Sequence, residues 1–128
     1  MDKITLVELI EGETAKLSPR GRELWEEMET LVELSEGITP RDRNLQSQQK
    51  EITDQMLDLP LHEQHVIKRV EEPSVGLAES NEVEKQGESG ERYRNRAVII
   101  AASLKDKDEG RQVDPDMTVE QAVARLRQ

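Results

Sequence analysis

The 128-residue chain contains no cysteine and no phenylalanine, and it has a single tryptophan and a single tyrosine. Without cysteine there can be no disulfide bond, no cysteine-ligated zinc and no thiolate nucleophile. Aromatic side chains bring the largest buried areas to a protein core, so their scarcity argues against the dense interior of an enzyme. We therefore expect a non-enzymatic protein that uses no cofactor.

Long hydrophobic runs are also missing. The longest apolar run, residues 97–102, is far too short to cross a bilayer. The first residues carry acidic side chains where a signal peptide needs an uncharged apolar stretch. These features predict a soluble, cytoplasmic protein that does not associate with membranes.

Charged residues are abundant and unbalanced: 28 acidic against 18 basic residues give a net charge of -10, and the mean hydropathy is -0.80. Such a surface repels phosphates, which disfavours nucleic acid as a partner and favours a protein with a basic or grooved surface. Leu, Ile and Val make up roughly 23% of the chain, just above the level at which disorder is expected. Because a second subunit often completes so small a core, we also expect a homo-oligomer.

The clearest helical pattern follows residue 18. Ser18 and Pro19 form a typical helix start, with an N-cap followed by a proline at the first helical position. Apolar residues then recur at helical spacing, with glutamates between them. This apolar stripe, the most hydrophobic surface of the chain, consists of Leu24, Trp25, Met28, Leu31 and Val32.

A second start signal, Thr39-Pro40, precedes a helix with a thin apolar stripe that needs a partner helix, and a shorter helix is predicted from Leu61 to just before Pro73. The following stretch is rich in glutamate and poor in apolar residues, so residues 72–91 are interpreted as an acidic, disordered linker. Beyond it, residues 97–102 favour a helix but also suit a short strand. Thr118 and Gln121 have capping-box spacing at the start of a last helix.

Together these patterns predict a mainly α fold, a small bundle of two to four helices with an acidic flexible linker. The predicted parts are an N-terminal helical unit (1–71), the linker (72–91) and a short C-terminal helical unit (92–128). No metal site is expected. His62 and His65 are three residues apart rather than four, and the acidic loop before Gly110 lacks the spacing of a calcium-binding loop.

Three functional hypotheses follow. The first is an adaptor, assembly factor or regulator that binds another protein through the apolar stripe. The second is an acidic mimic, phage or viral in origin, that occupies a nucleic-acid-binding protein through Glu79, Glu82, Glu84 and Glu88. The third, weaker hypothesis is a transcription-associated factor that contacts nucleic acid through Arg92, Tyr93, Arg94 and Arg96.

Overall fold

The computed structural model describes residues 1–35 and 43–128, and in these ranges it contains helices and no strand. The helices are α1 (Lys3–Thr14), α2 (Pro19–Ser35), α3 (Arg43–Met56), α4 (Leu61–Lys85), α5 (Glu91–Asp108) and α6 (Val119–Leu126). The prediction of a mainly α fold is confirmed, including a helix rather than a strand at 97–102. The described ranges hold six helices, so the predicted count of two to four was too low. The start signal at Thr39-Pro40 lies outside the described residues.

The helices form two compact units, which we consider separately. The first unit combines residues 1–16 with residues 65–128, and the second comprises residues 17–64. This division differs from the predicted boundaries at 71 and 92. The reason is a long-range contact: Leu6 and Leu9 of α1 belong to the same buried cluster as Val98 of α5 and Leu126 of α6. Helical periodicity reports the face that a helix buries and does not report its partner.

The predicted acidic linker requires a correction, because residues 72–85 continue α4. The helix passes through Pro73, although a proline inside a helix removes a backbone hydrogen bond and usually ends the helix. Tertiary packing offsets this cost: Leu77 lies against the core of the first unit, and Ser80 is fully buried. The prediction of a linker considered only large apolar residues, whereas the small residues Gly76 and Ser80 also pack here.

Small residues let α4 and α5 approach closely. A Cβ atom built on Gly76 would lie 2.4 Å from the Cβ of Ala97 and 3.1 Å from the carbonyl oxygen of Tyr93. Near the next turn, Ser80 lies directly against Gly90, which precedes α5. These contacts leave no room for a larger side chain at Gly76, and they explain why a stretch with few large apolar residues is helical.

Buried charges complete the first unit. Arg69 of α4 donates a hydrogen bond from Nε to Oε2 of Glu13 in α1 at 3.1 Å, its NH2 lies 3.0 Å from the same oxygen, and both residues are buried. Lys105 of α5 donates from Nζ to the carbonyl oxygens of Arg125 and Gln128, at 2.7 and 2.9 Å, at the end of α6. Burial lowers the pKa of Lys105. The predicted capping box of Thr118 and Gln121 is present at the start of α6 and is thereby confirmed.

In the second unit, α2 begins where predicted. Pro19 is its first residue, and the hydroxyl of Ser18 accepts a hydrogen bond from the backbone N–H of Gly21 at 3.2 Å. Helix α2 packs against α3, and this pair forms the groove described below.

Two glycine substitutions test the close packing of α4 and α5. We expect Gly76→Ala to lower the free energy of unfolding by about 1–3 kcal/mol, because the new methyl group meets Ala97. The matched control is Gly12→Ala in α1, where a Cβ meets nothing within 4 Å. That change should raise stability by up to about 1 kcal/mol, since alanine is the better helix former. Urea unfolding followed by circular dichroism measures both, and two changes of the same sign would contradict the packing argument.

Candidate partner-binding groove

A groove of about 610 Å³ runs between α2 and α3 in the second unit. Its lining residues recur every three or four positions along each helix, so each helix supplies one wall. The α2 wall consists of Glu23, Glu26, Glu27, Thr30 and Leu31, and the α3 wall of Gln48, Glu51, Ile52 and Gln55.

The floor of this groove is apolar and its rim is acidic. Leu31 and Ile52 are only 7% and 8% exposed, whereas Glu26, Glu27 and Glu51 are exposed at the surface. In the described part of the chain, no salt bridge is formed by these three glutamates. Several negative charges along a concave surface concentrate the electric field, so the groove attracts cations.

The two walls differ in chemistry. The α2 wall has three carboxylates, whereas the α3 wall has the amide groups of Gln48 and Gln55 and a single carboxylate, Glu51. At one end of the groove Arg20 lies 3.4 Å from Glu23 and donates a hydrogen bond to Oε1 of Gln55. A cationic side chain in the groove can therefore meet a carboxylate on one side and an amide oxygen on the other.

The first turn of α4 fixes this end of the α2–α3 pair. The buried Glu63 carboxylate accepts a hydrogen bond from the backbone N–H of Ser18 at 2.6 Å. Gln64 donates from Nε2 to the carbonyl oxygens of Leu57 and Leu59, at 3.0 and 2.7 Å, beyond the end of α3. Neighbouring side chains thus hold the start of α2 and the segment after α3. Hydrogen bonding by the hydroxyl and backbone N–H of Ser18 lowers the pKa of Glu63.

Most of the predicted apolar stripe is buried within the chain. Leu24 is 0%, Trp25 5% and Leu31 7% exposed, and Met28 is half-buried. Only Val32, at 48%, is well exposed. The hypothesis that the stripe anchors a partner depended on a free stripe, and in this structure Leu24 and Trp25 are buried while Leu31 exposes only a small part of its surface, in the groove. Self-association through it stays a prediction.

The four glutamates predicted as an electrostatic surface divide into two groups. Glu84 forms salt bridges with Lys3 and Arg94 in the first unit. The hydrogen bond from Lys3 and, to a smaller extent, the one from Arg94 lower the pKa of Glu84. The other three, Glu79, Glu82 and Glu88, are exposed to solvent. Glu82 lies 3.8 Å from Nζ of Lys85, so a mimic would present Glu79 and Glu88 as its carboxylates without a salt bridge in the described ranges.

The predicted nucleic-acid contacts are divided in the same way. Arg94 is buried, where it donates to the carbonyl oxygen of Met1 at 2.7 Å and to Glu84 at 2.6 Å. Arg92 lies over the Tyr93 ring, 5.0 Å from its centre, and Arg96 is exposed. Arg92 and Tyr93 line a second recess of about 570 Å³ that also contains Glu88 and Glu91. These two carboxylates oppose phosphate binding there.

The described ranges contain neither a group of three or more candidate metal ligands nor a helix that could span a membrane. Across residues 1–35 and 43–128, no three histidine or acidic side chains are grouped so that they could bind a metal ion. His65 lies 3.9 Å from Asp108, whereas His62 is exposed. No helix in these ranges combines the length and apolar character that crossing a bilayer requires.

No protein-family model, curated protein or solved structure matches this chain. The candidate groove therefore depends on its own geometry. Its α3 residues were missed by the sequence analysis, because Gln48, Glu51 and Gln55 individually resemble ordinary solvated residues. The sequence did contain a signal for these residues. They flank Ile52 at helical spacing, and Ile52 belongs to the thin apolar stripe that was predicted to face a partner helix.

The Glu63 carboxylate predicts a pH dependence of stability. Because its pKa is lower in the folded chain than in the unfolded chain, its contribution is present at neutral pH and is lost as the pH falls through the folded value. We expect Glu63→Gln to reduce the loss of stability below a pH of about 4. Urea unfolding as a function of pH measures this effect. The control is Glu51→Gln, an exposed glutamate of the same unit, and equal pH profiles for the two variants would contradict the role of Glu63 in holding Ser18 at the start of α2.

Proposed function

We propose that this chain is a non-enzymatic protein-interaction module whose α2–α3 groove binds a basic segment of a partner protein. The observation that carries the proposal is the combination of three unpaired carboxylates, Glu26, Glu27 and Glu51, above the apolar floor of Leu31 and Ile52. Lysine and arginine match this combination, since their aliphatic stems cover apolar surface while their charged ends reach carboxylates.

The size of the groove limits the partner segment. From Glu23 to Leu31, the α2 wall extends about 12 Å along the helix axis, as eight residues rise about 1.5 Å each. About two turns of a partner helix fill that length. An interface of this size belongs to the weak, transient class, in which charge pairs govern the rate of association and the dependence on salt.

The acidic-mimic hypothesis stays as a second candidate, because Glu79, Glu82 and Glu88 are exposed and Glu79 and Glu82 are three residues apart on α4. Of these three glutamates, Glu88 lines the second recess. The described lining of that recess contains no aliphatic side chain comparable to Leu31 and Ile52 in the groove. The two candidates place the binding carboxylates in different units, so substitutions separate them. Contact with nucleic acid through Arg92–Arg96 is less favoured, because Arg94 is buried against Glu84.

Neutralising the rim of the groove tests the proposal. The probe is a fluorescent, alanine-rich helical peptide with arginine and lysine at i, i+4 spacing, and binding is measured by anisotropy. The variant combines Glu26→Gln, Glu27→Gln and Glu51→Gln. It should bind the peptide about tenfold more weakly, because it loses three exposed ion pairs of about 0.5 kcal/mol each. Affinity of the unchanged protein should also fall between about 50 and about 300 mM salt.

The matched control removes the same charge elsewhere, through Glu79→Gln, Glu82→Gln and Glu88→Gln. This variant should bind the peptide nearly as well as the unchanged protein, apart from the small effect of a lower net charge. If the control loses as much affinity as the groove variant, binding follows overall charge and the groove is not the site. If only the control loses affinity, the acidic-mimic candidate replaces the proposal.

A further inference from the structure

One cationic side chain of the chain itself already lies across the end of the groove. Arg20 projects from the first turn of α2 and is about half exposed. Its NH1 lies 3.4 Å from Oε1 of Glu23 on the same helix, and its NH2 donates to Oε1 of Gln55 on α3. A guanidinium group therefore spans the two walls, with a carboxylate on one side and an amide oxygen on the other.

The same two kinds of acceptor occur again farther along the groove. Glu26 and Glu27 follow Glu23 by about one helical turn on α2. On the α3 wall, Glu51 and Gln48 precede Gln55 by about one and two turns. In the described ranges no arginine or lysine forms a salt bridge with Glu26, Glu27 or Glu51. The groove thus repeats the acceptors that hold Arg20, and among the described side chains Arg20 at the first position is the one cation bound to them.

These acceptors suit a guanidinium group better than an ammonium group. The guanidinium is planar and has five N–H donors in a fixed fork, so it can bind a carboxylate and an amide oxygen in different directions at once. It is also less strongly hydrated, which lowers the cost of placing it above Leu31 and Ile52. The lysine ammonium is a compact charge that is strongly hydrated and binds as a point.

We infer that the groove selects arginine over lysine, and that Arg20 occupies one of its arginine positions and competes there with a partner's arginine. This inference rests on the proposed function and deepens it. It specifies the ligand as an arginine-bearing segment whose side chains bind the carboxylates and amides of Glu26, Glu27, Gln48 and Glu51.

The first experiment compares two alanine-rich helical peptides of the same length and charge, one with arginine and the other with lysine at every basic position. We expect the arginine peptide to bind about fivefold more tightly, because charge-assisted hydrogen bonds in a fork add to the shared charge attraction. Equal affinities would overturn the arginine inference and leave the proposed function intact. Failure of both peptides to bind at low salt would remove the proposed function as well.

The second experiment tests the role of Arg20. The variant Arg20→Gln vacates the position between Glu23 and Gln55 and should bind the arginine peptide several-fold more tightly, with a smaller gain for the lysine peptide. The control is Lys50→Gln, which removes the same charge from an exposed site of α3 outside the groove lining. Equal gains in the two variants, or no gain in either, would overturn the assignment of Arg20 as an internal occupant. Circular dichroism verifies that both variants retain their helices.

Discussion

The shortage of large apolar side chains is the constraint on which this structure depends. A chain without phenylalanine must bury small residues and charged residues where other proteins bury aromatic ones. In the first unit, Gly76 and Ala97 allow two helices to approach within direct contact, and Arg69 and Glu13 are buried as a hydrogen-bonded pair. Close backbone approach increases dispersion contacts, and pairing limits the penalty of burying charge. The first unit is thus stabilised by close packing of small residues and by paired charges rather than by large apolar side chains.

This constraint also explains which parts of the fold were predictable. Local signals were reliable: the Ser18-Pro19 start of α2 and the capping box at Thr118 need only neighbouring residues, and both are present. The continuation of α4 through Pro73 was not predictable in this way. It depends on contacts with α5 that lie many residues away along the chain, and glutamate-rich sequence with small residues is typical of disorder when those contacts are ignored.

The candidate groove could not be predicted from the sequence for the same reason: it depends on contacts between helices. The glutamates of α2 were visible in the sequence as a polar face, but their convergence with Gln48, Glu51 and Gln55 exists only once α2 and α3 pack. Conversely, the residues with the most conspicuous hydrophobicity, Leu24 and Trp25, are buried within the chain. In a chain with so little apolar material, folding buries the strongest apolar stripe, and the charged residues beside it stay exposed.

The first turn of α4 has a practical consequence for dissecting the molecule. Glu63 and Gln64 stand at the end of the second unit, and their side chains reach the start of α2 and the segment after α3. A fragment truncated at Pro60 would contain both walls of the groove but would lack the groups that fasten them. A fragment of the second unit that extends through Gln64 retains these hydrogen bonds, whereas trimming at the proline removes them.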